Sequence, residues 1–194
     1  MAQPKLQRMT IDEFLDWQAR QDRNYELVDG YPVLPLKMMT GATRRHDGVT
    51  VRCLSLLDQQ LRGKPCQPRT DDVATRIPRG NLRRPDITVD CGTDGRDRDT
   101  VSSGPRVVIE VLSPSTVNFD RVQKLDEYKS VPSIQVIILF DTEQPRAAVH
   151  RRRGEHWWEA TNVDGLDSVI ELPEIEARLP LAEVYERLTF EPLG

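Results

Sequence analysis

The chain has 194 residues, 38% hydrophobic and 30% charged, with a formal net charge of −4. That balance describes a soluble globular chain long enough for a sizeable core, which excludes a disordered chain. It also argues against a uniformly basic nucleic-acid binder, although local basic patches stay compatible with it. No apolar run is long enough to span a bilayer. The opening MAQPKLQRMT carries no apolar segment of the signal-peptide kind, so the expected location is cytoplasmic.

In chain order, MTIDEFLDWQAR predicts a first helix. Thr10 and Glu13 stand at capping-box spacing, and Ile11, Phe14 and Leu15 form the apolar face. NYELVDGYPVLPL predicts a hairpin turning at Asp29-Gly30. A second helix is predicted over 46–61, where Val49, Cys53, Leu54, Leu57 and Leu61 recur at helical spacing and Gly63 supplies the stop. QPRTDDVATRIP and RRPDITVDCG then read as strands separated by a Gly-Asn turn, and the upstream strands together suggest an antiparallel meander. DGRDRDTVSSG reads as a polar loop without core residues. RVVIEVL is an apolar strand closed by SPST, NFDRVQKLDEYKSV is an amphipathic helix, and SIQVIILFD is a second continuous apolar strand. Two such strands around a helix suit parallel neighbours covered on both faces and joined by a right-handed crossover. RAAVHRRRGEHWWEA predicts a hairpin turning near Gly154, with one of Trp157 and Trp158 facing the core. The tail VIELPEIEARLPLAEVYERL reads as a short strand and a last helix from about residue 181. The expected architecture is a single α/β domain over 1–194, a mixed sheet flanked by helices. Cys53, Cys66 and Cys91 fit no zinc spacing and read as small core or near-surface residues. His46, His150 and His156 are too scattered for a ligand cluster.

Chemistry enters at VVIEVLSPST, where Glu110 interrupts an apolar strand. A carboxylate there is costly unless compensated. Asp86 follows Pro85 at the start of DITVD, and if the two strands pair, both carboxylates converge on one end of the sheet. They would repel, and a divalent cation between them would reverse that penalty. Oxygen ligands suit Mg2+ or Mn2+. The alternative is that Glu110 pairs with an arginine or caps a backbone group. Asp120 and Lys124 lie four residues apart on the following helix, hence on one face, where they form either part of the site or an ordinary exposed pair.

Pro85-Asp86 followed by Glu110-Val111 resembles the PD-(D/E)xK nuclease signature. The segments EFLDW, YELVDGYPV, RRPDITV, VVIEVLSPST, DRVQKLDEYKSVPSIQVIILFD and RLPLAEVYE are similar to one subset of it, the Uma2-like proteins, over about 9–186. The resemblance implies a restriction-endonuclease-like fold with N-terminal antiparallel strands. It further implies a Mg2+- or Mn2+-dependent endonuclease acting on DNA, with a metal held by Asp86, Glu110 and the Val111 carbonyl. Glu26, in YELVDG, matches the family's additional acidic position. Leu112 stands where the signature has lysine, and Lys124 matches the relocated lysine of the subset. The implied catalytic set is Glu26, Asp86, Glu110 and Lys124. Asp120 could position Lys124, and His46 either matches a family position or serves as a capping or packing histidine. Arg44, Arg45, Arg83, Arg84, Arg121, Arg151, Arg152 and Arg153 are candidates for holding phosphates, or else a solvated face. A catalytically silent nucleic-acid- or protein-binding domain on the same fold remains the alternative, favoured by Leu112 and the acidic balance. A glycosidase built on the carboxylate pair fits poorly, with three tryptophans and no sugar-stacking cluster. AAVHRRRGEHWWEA, a hairpin with one exposed aromatic, suggests a homodimer through an exposed strand edge.

Overall fold

The computed structural model describes residues 8–35, 43–92, 98–112 and 118–190, and of these the side chains of 118–121 are not described. The expected SPST strand end and the side chains of Asp120 and Arg121 therefore lie outside the described residues. Helix α1 (Ile11–Gln18) starts at the expected capping box, with Thr10 and Glu13 satisfying each other's backbone amides. The β1–β2 hairpin (Glu26–Val28, Tyr31–Val33) turns at Asp29 and Gly30, both with positive φ. That is the backbone twist a two-residue hairpin needs.

Helix α2 (Arg44–Leu61) is followed by β3 (Gln67–Thr70), the short pair β4 (Thr75–Arg76) and β5 (Leu82–Arg83), and β6 (Ile87–Asp90). These strands do not form a meander. β3 pairs antiparallel with β6, while β4 and β5 leave that plane and join β1 and β2 in a separate four-stranded sheet, order β2-β1-β5-β4. The excursion is driven by burial. Leu82 pairs with Leu27 and both pack with Phe14 and Ala74 in a small core under α1. Val101, in the loop expected to be polar throughout, bridges to Ala74 and packs against the same core.

β7 (Pro105–Leu112), α3 (Asn118–Lys129) and β8 (Val136–Asp141) form the expected crossover, and β7 and β8 pair in parallel. β9 (Arg146–Arg152) and β10 (Trp158–Asp164) complete a mixed six-stranded sheet, order β10-β9-β8-β7-β6-β3. The continuous apolar pattern now has its reason. Val107, Ile109, Val111, Val136, Ile138 and Phe140 pack on the α2 side, whereas Val108, Ile137 and Leu139 pack with Tyr128 and Val131 on the α3 side. Trp158 packs with the second group beneath the Arg152 guanidinium, and Trp157 is 63% exposed.

The tail is a two-stranded hairpin, β11 (Val169–Leu172) with β12 (Ala177–Pro180), where one strand was expected, before a four-residue α4 (Leu181–Val184) that starts at the expected residue. Glu176, at positive φ, closes that turn. Cys53 is buried in the core, but Cys66 and Cys91 form a disulfide rather than packing as separate thiols. The register explains it, because Gln67 faces Asp90 and the next pair outward is Cys66 and Cys91. Among the described residues no helix is long and apolar enough to cross a membrane.

Ile138, fully buried at the centre of β8, tests this core. Ile138→Ala should lower the urea-unfolding free energy by about 2–5 kcal/mol. Val122→Ala, at an exposed position of α3, should change it by less than about 0.5 kcal/mol.

Candidate active site

The site is built where β6 begins and β7 ends. Ile87 of β6 faces Ile109 of β7 in an antiparallel register, and continuing that register by one residue sets Asp86 beside Glu110. Asp86 Oδ2 accepts from the Val111 amide at 2.8 Å, and His46 Nε2, in the first turn of α2, lies 3.2 Å from the same oxygen. A strand residue's N–H and C=O share one edge, so the Val111 carbonyl is turned towards the side where β6 has ended. Glu110 projects from the face that carries Val108, towards α3. It is half-buried, and its Oε1 accepts from the Tyr128 hydroxyl at 2.6 Å. Burial first, then the charges of Glu110 and Glu26, push the Tyr128 pKa well above its ordinary value. The phenol therefore stays neutral and acts as the donor.

Lys124 and Glu26 meet although they come from different sheets' surroundings. Lys124 Nζ lies 3.2 Å from Glu26 Oε1. Glu26 is 2% exposed and also accepts from the Arg84 amide at 3.1 Å and from Arg83 Nη1 at 2.9 Å. Burial alone would raise the Glu26 pKa. The charges of Lys124 and Arg83 and the Arg84 amide outweigh it and hold the carboxyl below its ordinary value. Arg83, also 2% exposed, forks onto Glu127 of α3, with Nε to Oε2 at 2.5 Å and Nη2 to Oε1 at 3.1 Å. Burial opposes its charge, but the Glu127 hydrogen bonds and the charges of Glu26 and Glu127 hold its pKa above the ordinary arginine value. Asn81 Nδ2 adds a 2.7 Å bond to Glu127 Oε1.

Two expectations about arginines are corrected here. Arg83 and Arg84 do not face phosphate. Arg83 lies between two carboxylates, and Arg84 is buried with its guanidinium on the carbonyls of Tyr25, Asp71 and Asp72. The run from Arg151 to Arg153 is likewise engaged by the protein. Arg151 pairs with Glu174, Arg152 donates to the carbonyls of Lys129, Val131, Ile134 and Glu155, and Arg153 pairs with Glu159. Arg45 is tied to the carbonyls of Thr142 and Thr189 and lies over Phe190. Arg44 is exposed in the first turn of α2. Asn81 and Glu127 are not among the residues the sequence marks for the site, and it marks Arg83 only as a phosphate holder. The available signal was Glu127 itself, which shares a helix face with Lys124 and Tyr128.

Asp86 and Glu110 are carboxylates on adjacent strands, with the Val111 carbonyl turned towards the same strand end, and oxygen donors of this kind would suit a hard divalent cation. Among the described residues no three His, Cys, Asp or Glu side chains form a metal cage. Two carboxylates with other positions left to a carbonyl, water or phosphate is how Mg2+ is commonly held.

Residues 11–182 match the model of the Uma2 family, described as "Putative restriction endonuclease". The chain belongs to that family. The uncharacterized protein slr1290 of Synechocystis is 28% identical over 94% of each chain, and sll1609 of the same organism is 24% identical over 84% of this chain and 92% of its own. The fold is shared with a crystal structure from Anabaena variabilis described as "a putative nuclease belonging to DUF820". That match has a TM-score of 0.72 at 18% identity and covers 92% of this chain and 98% of that one. The restriction-endonuclease-like architecture expected from the sequence is thus the observed one.

The buried charges make two measurable demands. Arg83→Met leaves Glu26 and Glu127 without their shared cation and should cost about 3–5 kcal/mol in chemical denaturation. Glu26 also makes stability depend on pH. Its folded pKa is depressed, so its contribution is complete above the unfolded carboxylate value of about 4.3 and is lost as pH falls through the lower folded value. Unfolding free energy should therefore decline below about pH 5, and Glu26→Gln should be less stable at neutral pH but show a shallower decline in acid.

Proposed function

We propose that this Uma2-family chain is a Mg2+- or Mn2+-dependent endonuclease that hydrolyses phosphodiester bonds in DNA. The observation that supports the reading is that Asp86 bonds the Val111 amide, one residue along β7 from Glu110, next to a helix that brings Lys124 onto a buried carboxylate. An ion held by Asp86, Glu110 and the Val111 carbonyl would lower the pKa of a water and offset charge on the scissile phosphate. Glu110 is oriented by the Tyr128 hydroxyl, and Asp86 by the Val111 amide and His46. Lys124, paired with Glu26, presents an ammonium as the donor for negative charge that builds on the phosphoryl oxygens. It occupies the role that Leu112 cannot fill. Arg44, exposed at the start of the helix that carries His46, is the described arginine suited to a flanking phosphate. The proposed homodimer would rest on β10, which ends the order of the six-stranded sheet, and on exposed Trp157.

The experiment is a paired measurement on wild type, Glu110→Gln and Lys124→Ala. Mn2+ should raise the melting temperature of wild type and leave Glu110→Gln unmoved, and Glu110→Gln should lose metal-dependent cleavage of DNA with its fold intact. Lys124→Ala should keep the Mn2+ shift and lose rate by about 100-fold or more, the scale of removing a donor to developing charge. A wild type that Mn2+ does not stabilise would favour the silent-domain alternative.

A further inference from the structure

Lys124, Glu26, Arg83 and Glu127 form a chain of ionic contacts that leaves α3 and returns to it. Lys124 Nζ meets Glu26 Oε1, Glu26 Oε2 meets Arg83 Nη1, and the Arg83 fork returns to Glu127 on α3, three residues beyond Lys124. The chain of contacts therefore ties a helix to itself through strands β1 and β5. Among the described residues, the apolar side chains of α3 are few. Among its described side chains Tyr128 is the fully buried apolar one, Leu125 is half-buried and Val122 is 60% exposed. A slide of one residue along the helix axis is about 1.5 Å. Yet a misplacement of about 1 Å at a reacting group can cost about 100-fold in rate. A two-pronged guanidinium–carboxylate contact resists both translation and rotation, which a smooth apolar contact does not.

We propose that Glu127, gripped by Arg83, is a positioning residue that sets the height of α3 and so holds the Lys124 ammonium against Glu26 at the site. In this proposal Glu127 and the Arg83 fork that grips it act on the chemistry through Lys124. A purely stabilising role is the weaker account, since a buried ion pair can often be replaced by apolar side chains of similar volume without loss of stability. The proposal deepens the nuclease reading and rests on it for its catalytic consequence, but the geometry of Lys124 is measurable without any activity.

The test is Glu127→Leu, in which Arg83 keeps its contact with Glu26 and loses its grip on α3. An amine-reactive label, read by peptide mass spectrometry in metal-free buffer, reports Lys124, and Lys129 on the same helix is the internal control. The labelling rate of Lys124 relative to Lys129 should rise about tenfold, and kcat for Mn2+-dependent DNA cleavage should fall about 10- to 100-fold with KM unchanged. Glu127→Gln retains an acceptor for Arg83 and should give a smaller rise in the same ratio, about threefold; it takes over the test if the leucine variant does not fold. A folded variant with a wild-type labelling ratio, or one in which both lysines speed up equally, overturns the proposal. If wild type cleaves no DNA, the nuclease reading fails, and the labelling ratio still decides whether Glu127 positions Lys124.

Discussion

A guanidinium taken out of water must find its charge partners inside the protein, and the placement of Arg83 between Glu26 and Glu127 organises much of this molecule. Burying an ion without a partner costs several kcal/mol, so the three groups can be buried only together. Glu26 comes from the small sheet, Arg83 from its neighbour β5, and Glu127 from the crossover helix. Satisfying one charge thereby docks the four-stranded sheet against α3. Asn81 extends the same contact, with its amide on Glu127 and its carbonyl accepting from the Asp29 amide in the hairpin turn.

The second constraint is the alternation of β7. Its odd-numbered residues are spent on the α2 core, and its even-numbered ones face α3. Glu110 takes a place where a core residue would otherwise stand, and Tyr128 answers it from the helix. Because Asp86 sits just before β6 begins, its carboxylate bonds the next backbone amide of β7 instead of a ladder partner doing so. The strand end is therefore polar without being open backbone. Hard oxygen ligands on rigid strands, with a cationic donor on an adjacent helix, are the requirements of metal-assisted phosphoryl chemistry.

Much of this was legible in residue order. The two largely apolar strands around an amphipathic helix foretold a parallel pair, because strands covered on both faces leave no polar side. Thr10 with Glu13, and Asp29 with Gly30, marked a helix start and a hairpin by local chemistry alone. Asp86, Glu110 and Lys124 were singled out by residue type and by resemblance. What stayed hidden depends on distant contacts. Arg83 and Arg84 looked like solvent-facing phosphate binders, since no local pattern reveals a carboxylate 44 residues away in the chain. The pairing of Cys66 with Cys91 required the β3–β6 register, and the split into two sheets required knowing that Leu82 would seek Leu27. Glu26 was marked as acidic and functional, but its engagement with Lys124 emerges only when the small sheet is docked.

The proposed nuclease requires Asp86, Glu110 and the Val111 carbonyl to share one divalent cation. Anomalous diffraction at the manganese edge, from crystals soaked in Mn2+, addresses it most directly. The account predicts a single strong peak in contact with oxygens of all three residues, near the hard-ion bond length of about 2.1 Å, with the Lys124–Glu26 contact undisturbed. Crystals that bind Mn2+ elsewhere, or that leave this strand end without a peak at saturating Mn2+, would contradict it.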